Sequence, residues 1–325
     1  MLPKVSVIIV NWNGKKFLAD CFSSLSKQTY KNFQIVFVDN NSSDGSIEFV
    51  KEFKKYMKIK IIKLNKNYGF AKPNNIGFDY AIKNKSKYVA ILNNDTIVDK
   101  NWLTELVKVA DSDSRIGSCA CKILKLDGSI DSAGMLFHKN CMPSPRINKI
   151  DIKEEVFGAP GAAALYRVDM LKDVKLGDDY FDSDYKFYQE EFDLSWRALL
   201  RGWKCVYVPS ATVTHIGSGT GRKMPNIVKY HLERNRIWTV IKNLDKNLML
   251  YCLPHIILYE LCSIPFYIVK GQFFTVIKAR IDAFKEMKKF KKKRKIIQNR
   301  ILITSSEMKK WFEKRNYREA VSSNL

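Results

Sequence analysis

The strongest constraint on this fold is a regular alternation of strand and helix patterns over the first hundred residues. Apolar, β-branched runs at residues 4–10, 33–38, 59–64 and 88–92 predict four strands, and the segments between them carry apolar residues at helical spacing. Such an alternation favours a parallel sheet with right-handed crossovers. We therefore predict an α/β fold with a mostly parallel open sheet flanked by helices.

Each of these predicted strands is followed by polar residues. The first is followed by Asn11 and Trp12, the second by Asp39, the third by Asn67, and the fourth by the triplet Asn93-Asn94-Asp95. In open α/β sheets, ligands bind at the carboxyl ends of the strands, so these residues are candidates for a binding site. A structural alternative stays open for the triplet, since Asn and Asp also form turns that lead into a helix.

Beyond residue 100 the alternation breaks. The patterns there predict, in order, a helix at 102–109, a strand at 118–123, a hairpin at 124–137 that turns at Asp127-Gly128, a mobile loop at 138–155, a helix at 188–201 and strands at 205–208 and 212–214. The small residues at 158–164 either allow the backbone to approach a ligand or only pack tightly. Three acids in the first turn of the helix at 188–201 suit the helix dipole, and they also qualify as catalytic bases.

The net charge of +23 favours anionic partners, and more than half of it lies near the carboxyl end. Residues 270–325 contain 17 Lys and Arg against 5 acids. This distribution weakens a nucleic-acid function for the body of the chain, although that alternative stays open. Seven scattered cysteines indicate buried, reduced thiols, and the first residues run directly into a strand, so we expect a cytosolic-facing protein.

The helical C-terminal region contains a long apolar stretch. Residues 248–269 include 17 apolar residues, which is long enough for a membrane span. Pro254, Glu260 and Pro265 interrupt this stretch, and the basic cluster at 288–295 suits an anionic membrane surface. The sequence leaves three alternatives open, namely interfacial binding, a span and an ordinary soluble helical domain.

Two common phosphate-binding motifs are missing from the sequence. No G-x-G-x-x-G follows the first strand, and the one Gly-Lys pair, Gly14-Lys15, is followed by Lys16 instead of Ser or Thr. A few acids, a histidine and many amides suit a Mg²⁺ or Mn²⁺ ion that holds a diphosphate. The diphosphate of an activated sugar is the natural candidate.

Five ordered motifs carry a family resemblance. Together they resemble the family 2 glycosyltransferases and are most similar to the rhamnosyltransferase-like branch, over about residues 4–240. The motifs are VSVIIVNWNG at 5–14, VDNNSSDGS at 38–46, NYGFA at 67–71, LNNDT at 92–96 and YQEEFDLSWR at 188–197.

This resemblance implies a GT-A fold, a nucleotide-sugar donor and transfer with inversion at the sugar. It implies a donor site of Asn11, Trp12, Asp39, Asn67, Asn75, Asn93, Asn94 and Asp95, helped by Arg234 and Arg236. Asp95 matches the last acid of the family's D-x-D motif, whereas Asn93 replaces the first. A divalent cation, Mg²⁺ or Mn²⁺, would bind Asp95 and His215.

The resemblance also implies the catalytic and acceptor residues. Glu191 stands where the family usually has its catalytic Asp, so it is the expected general base, and Glu190 is the alternative. Gly161, Ala162 and Trp196 are expected on the acceptor side.

The domain division and the function follow as expectations. We expect a catalytic domain at 1–225, with a nucleotide-sugar half at about 1–115 and an acceptor half at about 116–225, and a helical, basic, membrane-associating region at 226–325. The expected function is sugar transfer to a glycan or polyprenyl-diphosphate-linked acceptor in cell-surface polysaccharide synthesis, at the inner face of the membrane. A non-catalytic, membrane-tethered nucleotide- or glycan-binding protein is the alternative from another class.

Overall fold

A computed structural model describes residues 2–217 and 224–312. The first half alternates strands and helices as predicted, because its apolar residues follow the strand and helix periods in turn. The elements are Val5–Asn11 (β1), Lys15–Ser26 (α1), Phe33–Asp39 (β2), Ser46–Phe53 (α2), Ile59–Lys63 (β3), Ala71–Lys83 (α3) and Tyr88–Leu92 (β4).

The second half contains more strands than predicted. Its elements are Thr96–Val98 (β5), Trp102–Ser112 (α4), Ile116–Leu124 (β6), Ile130–Ser132 (β7), Met135–Phe137 (β8), Pro143–Pro145 (β9), Glu155–Val156 (β10), Ala163–Arg167 (β11), Val168–Asp173 (α5), a short 3-10 helix at Ser183–Tyr185, Glu190–Leu200 (α6) and Lys204–His215 (β12).

The main sheet runs in the order β10, β12, β6, β11, β4, β1, β2, β3. The pairs among β1 to β4 are parallel, as is the pair of β6 with β12, whereas β11 lies antiparallel between β4 and β6. This confirms the predicted α/β architecture with a mixed, mostly parallel sheet. Because β11 adjoins β4, the small-residue segment before it lies beside the polar triplet that follows β4.

Three expectations for the middle of the chain were wrong. The loop predicted at 138–155 contains β9, which pairs with β8 in a separate two-stranded sheet. The predicted hairpin does turn at Asp127-Gly128, but its second strand is β7 and ends at Ser132. The two strands predicted around residue 210 form one strand, β12, whose register shifts between Val208 and Thr212.

Two apolar layers cover the sheet. On one side, Phe22 of α1 and Trp102 of α4 are fully buried against the strands, and on the other side Phe78 of α3 packs against Tyr166 of β11. Side chains alternate between these layers along β1, as the strand period requires. The sheet is therefore packed on both sides behind the strand ends that carry the polar loops.

The C-terminal region is helical, as predicted. Its helices are Pro225–Asn243 (α7), Lys246–Val269 (α8), Phe273–Lys285 (α9), Met287–Gln298 (α10) and Ser305–Phe312 (α11). Asp245 caps α8 by accepting hydrogen bonds from the backbone N–H groups of Asn247 and Leu248. Leu248 and Phe312 are buried with Trp196 of α6, so these helices share an apolar cluster with the rest of the protein.

Candidate active site

The polar residues at the ends of β1, β2 and β4 meet at one edge of the sheet. Asn11 donates a hydrogen bond to Asp39 over 3.3 Å and accepts one from Asn94 over 2.7 Å. The backbone N–H of Ser42 donates to the second carboxylate oxygen of Asp39 over 2.9 Å. A side chain at Gly14 would overlap the amide of Asn94, so glycine is needed where the loop after β1 crosses this group. Asn11, Asp39 and Asn94 therefore form one network.

A second loop borders this network. Asn67 accepts hydrogen bonds from the side chain of Asn40 and from the backbone of Gly69, each over 2.9 Å. Gly69 has a left-handed backbone, and a Cβ on it would lie 2.5 Å from the carbonyl oxygen of Lys186. The turn shaped by Asn67 thus packs directly on the segment that leads into α6. Trp12 lies on the rim and is 42% exposed.

His215 faces Asp95 because β12 continues further than predicted. Its last residue, His215, pairs with Thr96 of β5, a strand of three residues that the sequence pattern did not reveal. The Nε2 atom of His215 lies 3.5 Å from Asp95 Oδ1, and its Nδ1 atom lies 3.1 Å from Asp131 Oδ2. Asp131, on β7, was not predicted as a site residue.

The electrostatics of His215 follow from these two carboxylates. Burial alone would lower the pKa of this imidazole, but Asp131 and Asp95 outweigh it and raise the pKa to about 9. Before it could bind a metal ion through Nε2, His215 would have to release a proton.

The side chains fit a cation only if a substrate completes its coordination. Within residues 2–217 and 224–312, no group of three or more His, Cys, Asp and Glu side chains is placed to hold a metal ion. Asp95 and His215 face each other, whereas Asp131 contacts the opposite nitrogen of the imidazole ring. Mg²⁺ is commonly bound by one or two carboxylates together with water and substrate phosphates. Asp95 supplies one such carboxylate, and His215 adds an imidazole nitrogen beside it.

Glu191 lies at the start of α6, beside the small residues that precede β11. Its carboxylate accepts a hydrogen bond from the backbone N–H of Gly161. The next carbonyl, that of Ala162, accepts a hydrogen bond from the N–H of Asn93 over 2.9 Å. Backbone contacts thus connect Glu191 to the polar triplet after β4. Gly161 and Ala162 are partly exposed, so a ligand could reach both.

The two neighbouring glutamates differ in access to solvent. Glu191 is half-buried, and burial raises its pKa above 4.5, although the backbone N–H groups of Glu191 and Gly161 partly oppose this. Glu190 is 3% exposed, and its Oε2 atom has no hydrogen-bond partner among the described residues. Burial and the charge of Glu191 raise the pKa of Glu190 well above its usual range. Glu191 is therefore the better-placed proton acceptor.

The segment before α6 is conformationally strained. Lys186, Tyr188 and Gln189 all have positive φ angles, which non-glycine residues rarely adopt. The side-chain amide of Asn235, on α7, donates hydrogen bonds of 2.8 Å to the carbonyls of Phe187 and Tyr188. Such strain persists only where surrounding structure enforces it, and it concentrates at functional sites.

Four residues predicted at the site have their side chains engaged elsewhere. The side-chain amide of Asn75 donates hydrogen bonds to Asp179, Phe181 and Ser183 and accepts one from the N–H of Phe181. These bonds connect α3 to the chain around the start of the 3-10 helix. Trp196 is fully buried, with its ring centroid 4.5 Å from that of Phe137. The expectation that Trp196 contacts the acceptor is therefore wrong for this conformation.

The two arginines of α7 are bound to partners elsewhere in the protein. Arg236 is 2% exposed and pairs with Glu260 and Glu233. Arg234 donates to the carbonyl of Tyr185 over 3.1 Å and lies over the Trp238 ring. Their predicted contacts with the donor are not supported, because both guanidinium groups are already committed to partners on the inner side of α7.

Comparison with known proteins places the chain among glycosyltransferases. The family described as Glycosyl transferase family 2 matches residues 6–175. Glycosyltransferase GlyG of Streptococcus pneumoniae is 31% identical over 122 residues, which are 36% of this chain and 40% of GlyG. TarS of Staphylococcus aureus, a poly(ribitol-phosphate) β-N-acetylglucosaminyltransferase, is 22% identical over 193 residues, which are 58% of this chain and 31% of TarS. The matches thus span at most about two fifths of these relatives.

Solved structures with low identity share the fold. Residues 1–349 of S. aureus TarS superpose with a TM-score of 0.60 at 18% identity, over 91% of this chain and 89% of that one. The mannosyltransferase PcManGT of Pyrobaculum calidifontis, solved with GDP-Man and Mn²⁺, gives a TM-score of 0.58 at 12% identity, over 92% and 86%. The fold is therefore GT-A-like.

Proposed function

Since the chain belongs to glycosyltransferase family 2, we propose that it transfers a hexose from a nucleoside-diphosphate sugar to a hydroxyl group, with inversion at the anomeric carbon. The observation that carries this proposal is the position of Glu191. Its half-buried carboxylate is held by Gly161 and connected through Ala162 to Asn93, at the strand ends where Asn11, Asp39 and Asn94 converge.

In the proposed reaction, Glu191 takes the proton of the acceptor hydroxyl group. The acceptor oxygen forms a bond to the anomeric carbon while the bond from that carbon to the diphosphate oxygen breaks, and the diphosphate leaves with the bonding electrons. A base works best when its pKa is close to the working pH, so the raised pKa of Glu191 suits this role. Attack from the side opposite the leaving group produces inversion.

The donor would lie along the strand ends. Asn11, Trp12 and Asp39 would hold the nucleobase, and Asn67, Asn93 and Asn94 would border the diphosphate and sugar. Asp95 and His215 would hold a divalent cation, Mg²⁺ or Mn²⁺, which supplies positive charge for the departing diphosphate when it is bound. The complex of PcManGT with GDP-Man and Mn²⁺ supports this choice of cofactor.

We further propose a substrate class and a location. The motif resemblance favours rhamnose as the sugar, and the name of TarS supports a role in cell-surface polysaccharide synthesis. The acceptor would be a glycan or a polyprenyl-diphosphate-linked glycan at the cytoplasmic face of the membrane, where the protein would bind peripherally. No nucleic acid is needed for this function.

A panel of nucleoside-diphosphate sugars tests the proposal. The full chain is incubated with Mn²⁺ and each sugar, with and without short glycan and lipid-linked acceptors, and release of the nucleoside diphosphate is measured. We expect one donor to be turned over, with faster release when its acceptor is present. Donor binding without turnover on any acceptor would favour the non-catalytic alternative, and the absence of both binding and release would refute the proposal.

Asp131 provides a prediction about the proposed cation site. Its contact with Nδ1 fixes the ring of His215 so that Nε2 faces Asp95, as carboxylates do behind metal-binding histidines. Replacing Asp131 by Ala should weaken Mn²⁺ binding by about 10- to 100-fold. Titration of free Mn²⁺ by electron paramagnetic resonance, with nucleoside diphosphate present, measures this loss.

Asp127→Ala is the matched control for Asp131→Ala. Asp127 lies in the turn that joins β6 and β7, where it accepts hydrogen bonds only from neighbouring Ser129 in the described structure. It should leave Mn²⁺ binding unchanged. Equal Mn²⁺ affinities for the two variants would show that Asp131 does not position His215.

A further inference from the structure

An apolar stripe runs along the outer face of α8. We define the α8 stripe as Leu250, Leu253, Ile257, Leu261, Pro265 and Ile268, all of which are exposed. Their spacing of three and four residues places them on one side of the helix, over about 27 Å. Such contiguous exposed apolar surface is unusual on a soluble monomer and marks an interaction site.

The length of α8 alone does not decide how it interacts. Of the helices that the structure describes, α8 is the one whose length and composition would allow a membrane span. The inner face of α8, however, makes ion pairs and hydrogen bonds with α7 and α9. Glu260, near its middle, pairs with Arg236 of α7 and with Arg280 of α9, and the hydroxyl groups of Tyr259 and Tyr267 donate hydrogen bonds to Glu233 of α7.

These partners argue against a span. For α8 to cross a bilayer, either Glu260 would enter the hydrocarbon without Arg236 and Arg280, or α7 and α9 would have to enter with it. Helix α7 also carries Lys242 and Asn235, which are bound to the body of the protein. If α8 lies flat on the membrane surface, its outer stripe can contact lipid and all of these polar contacts can remain in place.

Exposed lysines on α9 and α10, the two helices that follow α8, indicate the kind of surface. On α9, exposed Phe274 and Ile281 alternate with exposed Lys278 and Lys285 along one side, which is typical of a helix at a lipid interface. On α10, Lys289 and Lys293 turn inward to Asp184, and Arg294 binds the carbonyls of Ile241 and Leu244. The remaining lysines of the basic cluster are exposed and free to face outward, at positions 288, 291, 292 and 295.

We propose that the α8 stripe inserts into the headgroup region of an anionic bilayer, with the axis of α8 parallel to the membrane plane. The apolar stripe supplies the hydrophobic contact, and the lysines of α9 and α10 supply attraction to anionic lipid. A second copy of this chain is the competing occupant, but two surfaces rimmed by lysines would repel each other. The inference shares with the proposed function only the membrane location, so either can fail without the other.

Vesicle sedimentation tests the surface. The full chain should sediment with phosphatidylcholine vesicles that contain phosphatidylglycerol and should bind pure phosphatidylcholine at least about tenfold more weakly. Replacing Ile257 and Leu261 by Ser should reduce binding at least about tenfold. Leu126→Ser, which changes an exposed leucine in the β6–β7 turn, is the control and should bind like the wild type.

Several outcomes would overturn the proposal. Equal vesicle binding by the stripe variant and the Leu126→Ser control would exclude the stripe as the contact. A wild-type dimer that becomes a monomer in the stripe variant, by light scattering, would assign the stripe to a second copy. Release of nucleoside diphosphate from the soluble donor should be the same in all three proteins, so a loss there would concern the transferase site instead.

Depth measurement separates a flat helix from a span. Exposed Cys262 is first replaced by Ser, and a fluorophore is attached to a cysteine introduced as Leu250→Cys, Ile257→Cys or Ile268→Cys. Its fluorescence is then quenched by lipids that carry nitroxides at different depths. A flat α8 predicts the same shallow depth at all three positions. A gradient from shallow to the bilayer centre would contradict the proposal and indicate a span.

Discussion

Replacing Glu191 by Gln is expected to lower kcat by about 10²- to 10⁴-fold while leaving the dissociation constant of the donor unchanged. Glutamine keeps the size of the side chain but cannot take the acceptor proton. Donor binding should survive, because the proposed donor contacts lie at the ends of β1 to β4 and in the loops that follow these strands. Steady-state kinetics and calorimetric titration of the nucleoside-diphosphate sugar measure the two quantities.

Glu190→Gln is the matched control for this experiment. Glu190 is buried, and burial together with the charge of Glu191 raises its pKa well above the usual range, which favours the uncharged form that glutamine mimics. We expect this variant to retain nearly the wild-type kcat. If Glu190→Gln abolished turnover and Glu191→Gln did not, Glu190 would be the base and our assignment would be wrong.

Replacing Lys242 by Met is expected to lower the free energy of unfolding by about 3–5 kcal/mol. Lys242 is fully buried, and its ammonium group lies 2.6 Å from Asp182 and 2.9 Å from Asp193. Removing it would leave both carboxylates buried with only part of their compensating charge. Urea denaturation at neutral pH measures the loss.

An exposed lysine on α9 provides the control. Lys278 pairs with Asp282 at the surface, and Lys278→Met should change the free energy of unfolding by no more than about 0.5 kcal/mol. Similar losses for the two variants would show that the buried ion pairs contribute little to stability.

The effect of Lys242 should depend on pH. Burial alone would raise the pKa values of Asp182 and Asp193, but Lys242 outweighs it, with Lys293 at Asp182 and Arg197 at Asp193, and holds both below 3.8. Because both folded-state pKa values are depressed, this stabilisation is present above the unfolded pKa of about 3.9 and is lost as the pH falls below it. The difference between wild type and Lys242→Met should therefore shrink in acid.

The sequence predicted the parallel part of the sheet because its strands are apolar and β-branched. Strand β11 escaped prediction because Ala163 and Ala164 have low strand propensity, and their burial comes from β4 and β6 on either side. Strand β5 has only three residues and exists because β12 pairs with it. Both strands, β5 and β11, form because they pair with strands that are far away in the sequence.

Site residues on strand ends were easier to predict than those on helices. Asn11, Asp39 and Asn94 converge because parallel strands end at the same edge of a sheet. The position of Arg236 could not be predicted from strand ends, because it pairs with Glu260, which lies on another helix. No sequence pattern pointed to Asp131 as a site residue, because its partner, His215, is 84 residues away in the sequence.

The contacts of Asn235 and Lys242 limit where the chain can be cut into separate domains. The amide of Asn235 is the donor for Phe187 and Tyr188, and Lys242 neutralises Asp182 and Asp193, yet both side chains belong to α7. A chain cut near residue 225 would lose the groups that hold the strained segment before Glu191. The predicted boundary is a change in secondary structure, but the position of Glu191 depends on residues from both sides of it. Gene fusions or truncations near residue 225 would separate Glu191 from the α7 side chains that support the segment before it.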